Sequence, residues 1–194
     1  MFLADRNEPI TTHQPEPTMN APQPILPITM QDIGEPPALG EYWPGQGGIF
    51  VGSMPAMHGL PARHLIVAKA EDEKELAYGG YGVDVPGAAS RIDGPANTAA
   101  LLAHTAASGI EHPAAAYCAA YTADGHTDFH YPSQACLFMA SLFAPQAFNK
   151  RGWYGSSTQG DRDFALSQVF EYGLSLWGRK GDEFRVRPLR WIQL

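Results

Sequence analysis

Cysteine, long apolar runs and signal sequences are scarce or missing in this chain of 194 residues. Two cysteines, Cys118 and Cys136, are too few for a disulfide framework or a metal cluster. Their small and apolar neighbours favour buried free thiols, with one disulfide between them as the alternative. No segment reaches the roughly 18 consecutive apolar residues of a membrane-spanning helix, and the first residues lack a signal-peptide pattern. We therefore expect synthesis in a cytoplasm and no membrane insertion.

Positive charge is also in short supply, because the formal net charge is −7 at pH 7. A general nucleic-acid binder needs a basic face, so this composition argues against nucleic acid as a partner. The charge is uneven: residues 150–194 contain eight of the thirteen Lys and Arg residues and only five of the twenty acids. We interpret these basic residues as arginines that decorate and pair along the last strands.

The motifs of common enzyme classes are absent. The glycines of "GGYGVDVPG" lack the strand-to-helix setting of a phosphate loop, and no G-x-S-x-G elbow occurs. His126, Asp128 and His130 alternate in "GHTDFH" and would share one face of a strand, but no outlying ligand pair accompanies them. A turn stabilised by Asp124 and Asp128 is the preferred interpretation. We predict no catalytic residues, no metal and no cofactor.

Proline is concentrated at the start of the sequence, where residues 1–44 hold nine of the seventeen prolines. Proline fixes φ and removes a hydrogen-bond donor, so this segment is predicted to be an extended arm without a core of its own. A disordered leader is the alternative. The arm contains apolar residues that a solvated tail does not need, which favours ordering against a partner or a neighbouring subunit. These predicted contact residues are Ile25, Leu26, Ile28 and Met30.

Residues 45–194 are predicted to form one α+β domain of short strands, two helices and long loops. The runs "GGIFVGSM" and "RHLIVAKA" indicate a hairpin. One helix is expected to begin near Asn97 and to end at Gly109, and a second to run from Ser133 to a stop at Pro145. Further strands follow in "DFALSQVFEYGLSLWGRKGDEFRVRPLRWI", where glycines mark the turns.

Three motifs then occur in an order that resembles a known family. "DGHTDFHYPSQACLFM", "GWYGSST" and the final "FALSQVF…RVRPLR" are similar to the ordered motifs of a lectin-like domain of bacterial surface and phage structural proteins. This is the C-terminal domain type of Legionella collagen-like adhesins, related to phage tropism determinants and to the formylglycine-generating enzyme scaffold. Phe129, Tyr131 and Ser133 replace the family's Trp, Leu and Thr, and the calcium-ligand motifs of true C-type lectins are missing.

The resemblance implies a C-type-lectin-like fold with antiparallel strands, in which the last strand returns to pair with the opening ones. It also places ligand binding between the "WYGSST" and "RVRP" strands. Exposed aromatic residues and arginines suit protein hot spots and sugar stacking. The candidate ligand-binding residues are Tyr154, Gln159, Asp161, Arg162, Tyr172, Ser175, Trp177 and Arg179. Trp177 is expected to be half exposed, whereas Trp153 and Trp191 are expected in the core.

The last strand carries two further expectations. Alternation in "RVRPLRWI" predicts that the apolar side chains point inward, while Arg185, Arg187 and Arg190 point outward or span the sheet. Pro188 suggests an edge or a bulge, and Arg187 is expected to pair with an acid. The hydroxyl residues Ser156, Ser157 and Thr158 are expected to be hydrogen-bonded turn anchors.

Together these observations favour a non-enzymatic phage virion protein, in the tail or as a capsid decoration. Its arm would contact other virion proteins, its lectin-like domain would bind a host-surface glycan or protein or a virion ligand, and a homo-oligomer is expected. A bacterial surface adhesin is the second interpretation. A degenerate enzyme of the formylglycine-generating type is the third, although Cys118 and Cys136 lie outside the half-domain where its thiol pair belongs.

Overall fold

The computed structural model describes residues 33–194, of which residues 35–194 form one compact unit. Residues 35–44, which the sequence analysis assigned to the arm, belong to this unit. Strand β1 (Tyr42–Trp43) pairs with the next strand, and Trp43 is buried against Phe50. The predicted arm contacts lie outside the described residues; they are Ile25, Leu26, Ile28 and Met30.

The first sheet joins the beginning and the end of this unit. Its order is β1-β2-β3-β9, with β2 (Gly48–Met54), β3 (Arg63–Val67) and β9 (Leu189–Gln193), and every pair is antiparallel. All five residues of β3 are buried, and its apolar residues Leu65, Ile66 and Val67 follow one another without the alternation of a strand that has one face in solvent. The predicted hairpin and the predicted return of the last strand to the opening ones are both confirmed.

The second sheet has five strands in the order β4-β8-β5-β6-β7. They are β4 (Lys74–Ala77), β5 (Trp153–Gln159), β6 (Phe164–Val169), β7 (Leu174–Arg179) and β8 (Glu183–Val186). Strands β5 and β8 run parallel, so the sheet is mixed and the expectation of antiparallel strands throughout was wrong. Strand β7 is an edge: among residues 33–194 it pairs with β6 alone.

Three α-helices complete the α+β architecture of residues 35–194: α1 (Gly94–Ser108), α2 (Pro113–Ala120) and α3 (Gln134–Phe143). Helix α1 begins three residues before the predicted start, because the Asp93 carboxylate caps it by accepting from Ala96 N at 2.9 Å. It ends as predicted at Gly109, which adopts φ 74°. Helix α3 follows Ser133 and ends before Pro145, as predicted. Helix α2 was not predicted.

Two apolar clusters stabilise the fold, and each contains one cysteine. Cys136 lies in the cluster between the first sheet and α3, and Cys118 in the cluster beneath α1 and α2. Both thiols are buried and free, and burial raises the pKa of both. The interpretation as buried free thiols is confirmed, and the alternative disulfide is wrong.

The C-terminal arginines depart from the predicted alternation. Arg187 is fully buried and donates to the backbone carbonyls of Ala68 and Ala147 instead of pairing with an acid. Arg190 is also buried, and its Nε donates to the Asp128 carboxylate at 2.7 Å. The predicted outward orientation was wrong for these two arginines, and so was the predicted ion pair of Arg187; the alternative, that they span the sheet, stays a prediction. The chain passes from the second sheet to the first at Pro188, so alternation does not continue across it.

The predicted burial of the tryptophans is only partly correct. Trp177 is 52% exposed, which confirms the prediction for it. Trp153, expected in the core, is instead exposed at the start of β5, where its ring stacks on Phe184 with centroids 5.8 Å apart. Trp191 is only partly buried at the rim of the α3 cluster.

Candidate functional site

The exposed Trp177 is positioned by a glycine on the neighbouring loop. Three carbons of its six-membered ring lie against Gly160, where any Cβ would clash with the indole. Gly160 N donates to the Phe164 carbonyl at 2.9 Å, which closes the turn between β5 and β6. The ring is therefore held against the backbone of the β5–β6 turn while about half of its surface is open to solvent, where another ring or a sugar can stack.

A second aromatic residue lies beside the same end of β7. Arg179 Nη2 donates to the Tyr81 hydroxyl at 3.0 Å, and its guanidinium lies 5.0 Å from the Tyr81 ring centroid. The Tyr81 loop is tied to the β5–β6 turn because Gly82 N donates to the Arg162 carbonyl at 2.9 Å. Tyr81, Arg162 and Arg179 are all exposed. We call Tyr81, Arg162, Trp177 and Arg179 the hairpin surface.

Buried hydrogen bonds beneath the hairpin surface fix the loops that carry it. Lys180 is fully buried, and its Nζ donates to the Val83 carbonyl and to Gln159 Oε1, each at 2.7 Å. Burial lowers the pKa of Lys180. Gln159 Oε1 also accepts from Val85 N at 2.9 Å, and the Asp161 carboxylate accepts from Phe164 N at 2.8 Å. Gln159 and Asp161, both predicted as ligand-binding residues, thus also fix the loops of the hairpin surface.

Three predicted residues lie elsewhere. Tyr154 is buried, and its hydroxyl donates to the Glu73 carboxylate; burial raises its pKa. Ser175 Oγ donates to Gln168 Oε1 at 2.8 Å, beside α3. Tyr172 is 67% exposed, but it lies in the turn at the opposite end of β6 and β7. Arg162, Trp177 and Arg179 are brought together, whereas Tyr154, Ser175 and Tyr172 are not part of that cluster.

Tyr81 was missed by the sequence analysis. Its partners lie about a hundred residues away along the chain, so no local pattern connects them. The one available signal is an aromatic residue flanked by glycines in "GGYG", which is typical of an irregular exposed loop.

The β7 edge also exposes apolar side chains on both faces. Leu174 is 51% exposed, and the register places it opposite Val169 and in one row with Trp153. Leu176 lies on that same face, while Trp177 points to the other. An unpaired edge strand with exposed apolar residues is a template for association with another chain.

The three hydroxyl residues of β5 form hydrogen bonds to β6, to α1 and to the loop that precedes α1. Ser156 Oγ donates to the Leu166 carbonyl at 2.6 Å, Ser157 Oγ accepts from Asn97 at 3.1 Å, and Thr158 Oγ1 donates to the Ser90 carbonyl at 2.9 Å. The predicted hydrogen bonding is confirmed, although these residues lie within a buried strand and not in a turn.

The "GHTDFH" segment forms a structural turn. The Asp124 carboxylate accepts from the Tyr42 hydroxyl at 2.6 Å and from Gly45 N at 3.0 Å, and the bond from Tyr42 lowers the pKa of Asp124. Asp128 instead pairs with Arg190. Among residues 33–194, no group of three or more His, Cys, Asp or Glu side chains is arranged to hold a metal ion.

A Ser–His pair occurs in the first sheet. Ser53 Oγ and His64 Nδ1 are hydrogen-bonded at 2.7 Å, but the imidazole packs between the rings of Trp43 and Phe50. Within the described part of the chain, His64 Nε2 has no hydrogen-bond partner, so no carboxylate orients it as in a hydrolase triad.

Comparison with known proteins leaves the site to be interpreted from its geometry. Neither a scan against protein-family models nor a search of curated proteins found a match. In the part of the chain that is described, no helix is both long and apolar enough to cross a membrane.

Proposed function

We propose that this protein is a non-enzymatic binding module of a phage virion, with a C-type-lectin-like domain that contacts its ligand through the hairpin surface. The observation that carries the proposal is the exposed Trp177 ring, held over Gly160 beside the Tyr81–Arg179 pair. Trp, Tyr and Arg dominate binding energies at protein interfaces, and flat aromatic rings also stack on sugars.

The adjoining β7 edge favours a protein ligand over a glycan. Its outer backbone groups, which no other strand of residues 33–194 pairs with, can pair with an extended segment. Leu174, Leu176 and Trp177 supply apolar contacts on both faces. The context of a host surface or of neighbouring virion proteins rests on the resemblance of the ordered motifs. A bacterial surface adhesin would use the same surface and is the alternative source of the chain.

The test applies the labelled full chain to an array of bacterial surface polysaccharides, bacterial envelope proteins and phage structural proteins. We expect Trp177→Ala to weaken binding at least tenfold, and Gly160→Ala to weaken it as well, because the added Cβ displaces the Trp177 ring. The matched control is Trp153→Ala, which removes an exposed tryptophan outside the hairpin surface.

The outcomes separate the alternatives. If the chain binds proteins on the array and Trp177→Ala abolishes this binding, the β7 edge is supported as a protein-binding site. If the chain binds polysaccharides instead, the ligand of the hairpin surface is a glycan. Equal losses for Trp177→Ala and Trp153→Ala, or no retention by the wild type on any element of the array, contradict it.

A further inference from the structure

A pocket of about 300 Å³ lies away from the hairpin surface, between the ends of β3 and β9 and the start of α1. This volume is at the lower end of cavities that hold small organic ligands. Trp191 and two prolines provide its apolar walls. The lining residues are Pro61, Arg63, Pro95, Asp128, His130, Trp191 and Gln193.

Arg63 is a buried cation without a carboxylate partner among residues 33–194. It is fully buried, and its guanidinium lies 4.4 Å from the Trp191 ring centroid. Nη1 donates to the Pro61 carbonyl at 2.9 Å and Nη2 to the Ile92 carbonyl at 3.3 Å. The buried Nε has no hydrogen-bond partner among residues 33–194, and none of the ion pairs found there includes Arg63. Buried charges are ordinarily paired, so this one is suited to an anion from outside.

His130 also lines this pocket, and both of its ring nitrogens are buried. It is 3% exposed, and neither ring nitrogen makes a hydrogen bond of ordinary geometry within the described residues. Burial holds its pKa at about 3, an effect that the nearby Asp128 carbonyl opposes without outweighing it. The imidazole is therefore neutral at pH 7 and offers one N–H donor. Its ring edge packs on Gly94, the first residue of α1, where a Cβ would clash.

The charges around the pocket select the kind of anion. The Asp128 carboxylate also lines it, but Arg190 Nε donates to that carboxylate at 2.7 Å and compensates its charge. One positive charge, on Arg63, is then left to be matched. A carboxylate carries one negative charge and accepts two donors on two oxygens, whereas a phosphate monoester near pH 7 carries a charge close to −2.

We propose that this pocket binds the carboxylate group of a small ligand, with Arg63 and His130 as its hydrogen-bond donors and Trp191 as an apolar wall. This inference does not depend on the function proposed for the hairpin surface, because the two sites share no residue.

The experiment titrates the full chain with four probes at constant ionic strength: sodium acetate, sodium glucuronate, glucose and inorganic phosphate. Binding is followed by calorimetry and by the NMR signal of the Arg63 Nε–H group. We expect saturable binding of a carboxylate with a Kd of about 1 mM or tighter, a shifted Nε–H signal, and no response to glucose. Acetate alone indicates a simple acid, whereas glucuronate alone indicates an acidic sugar.

Variants locate the site. Arg63→Gln is expected to weaken carboxylate binding at least tenfold, and His130→Gln serves the same purpose if Arg63→Gln does not fold. Arg151→Gln, which removes an exposed guanidinium outside both proposed sites, is the control and is expected to bind as the wild type does. The proposal is overturned if neither carboxylate saturates, if glucose matches glucuronate, if phosphate binds tighter than both carboxylates, or if carboxylate binding leaves the Arg63 signal unmoved.

Discussion

Burial of His130 makes the stability of this fold dependent on pH in a predictable direction. Its pKa is about 3 in the folded state and 6.5 when solvated, because burial and the charges of Arg63 and Arg190 disfavour the imidazolium. The unfolded chain therefore takes up a proton that the folded chain does not as the pH falls below 6.5. The stabilisation is fully present above pH 6.5 and is lost progressively down to about pH 3.

The size of the effect follows from linkage. A pH of 5 lies about 1.5 units below the pKa of the imidazole in the unfolded chain, and each unit corresponds to about 1.4 kcal/mol. His130 alone therefore lowers the free energy of unfolding by about 2 kcal/mol between pH 7 and pH 5. His64 and His112 are also buried with lowered pKa values and act in the same direction. The loss of stability of the wild type between pH 7 and pH 5 must therefore be compared with that of a variant without His130.

The assay is urea denaturation of the full chain at pH 7 and at pH 5, for the wild type, His130→Phe and His58→Asn. Replacing His130 is expected to reduce the loss of stability by about 2 kcal/mol. His58 is exposed, so its replacement is expected to preserve the wild-type loss. If His130→Phe loses as much stability as the wild type between the two pH values, then His130 is not buried as a neutral group.

Three further predictions concern stability. A chain lacking residues 1–44 loses β1 and the buried Trp43, and it is expected to be about 3–5 kcal/mol less stable in urea than a chain lacking residues 1–34; equal midpoints would refute the place of β1 in the fold. Arg187→Met leaves the Ala68 and Ala147 carbonyls without their donor and is expected to cost about 2–4 kcal/mol, against less than about 0.5 kcal/mol for the exposed Arg162→Met. Gly155→Ala places a Cβ against the Tyr131 hydroxyl and should lower the thermal midpoint by the equivalent of about 1–3 kcal/mol, whereas Gly181→Ala, where a Cβ has room, should not; similar midpoints for the two variants would count against the close approach.

Local signals predicted the parts of the fold that depend on neighbouring residues. Helix α3 was predicted because Ser133 and Pro145 bracket it, and the end of α1 because Gly109 adopts the left-handed conformation that glycine favours. Helix α2 was missed because "PAAAYCAA" is rich in alanine and carries no polar face to reveal a helical period.

The errors at the site have a different cause. Alternation predicted that Arg187 points outward or spans the sheet, but the chain changes sheets at Pro188 and the rule does not extend across that step. The Tyr81–Arg179 and Arg63–His130 groupings are formed by residues distant in sequence, so only the tertiary fold reveals them. The exposure of Trp177 could be predicted because it depends on the residues next to it in β7.

The pairing of β3 with β9 imposes an order on folding. Arg63 and Gln193 are partners in the register, yet most of the described chain separates them in sequence. During synthesis the edge of β3 that pairs with β9 stays exposed until β9 has been made. Contacts so distant in sequence also form slowly, which prolongs this exposure. A chain that lacks β9 is therefore expected to aggregate through the exposed edge of β3. A chaperone that covers β3 until β9 pairs with it is expected to reduce misassembly.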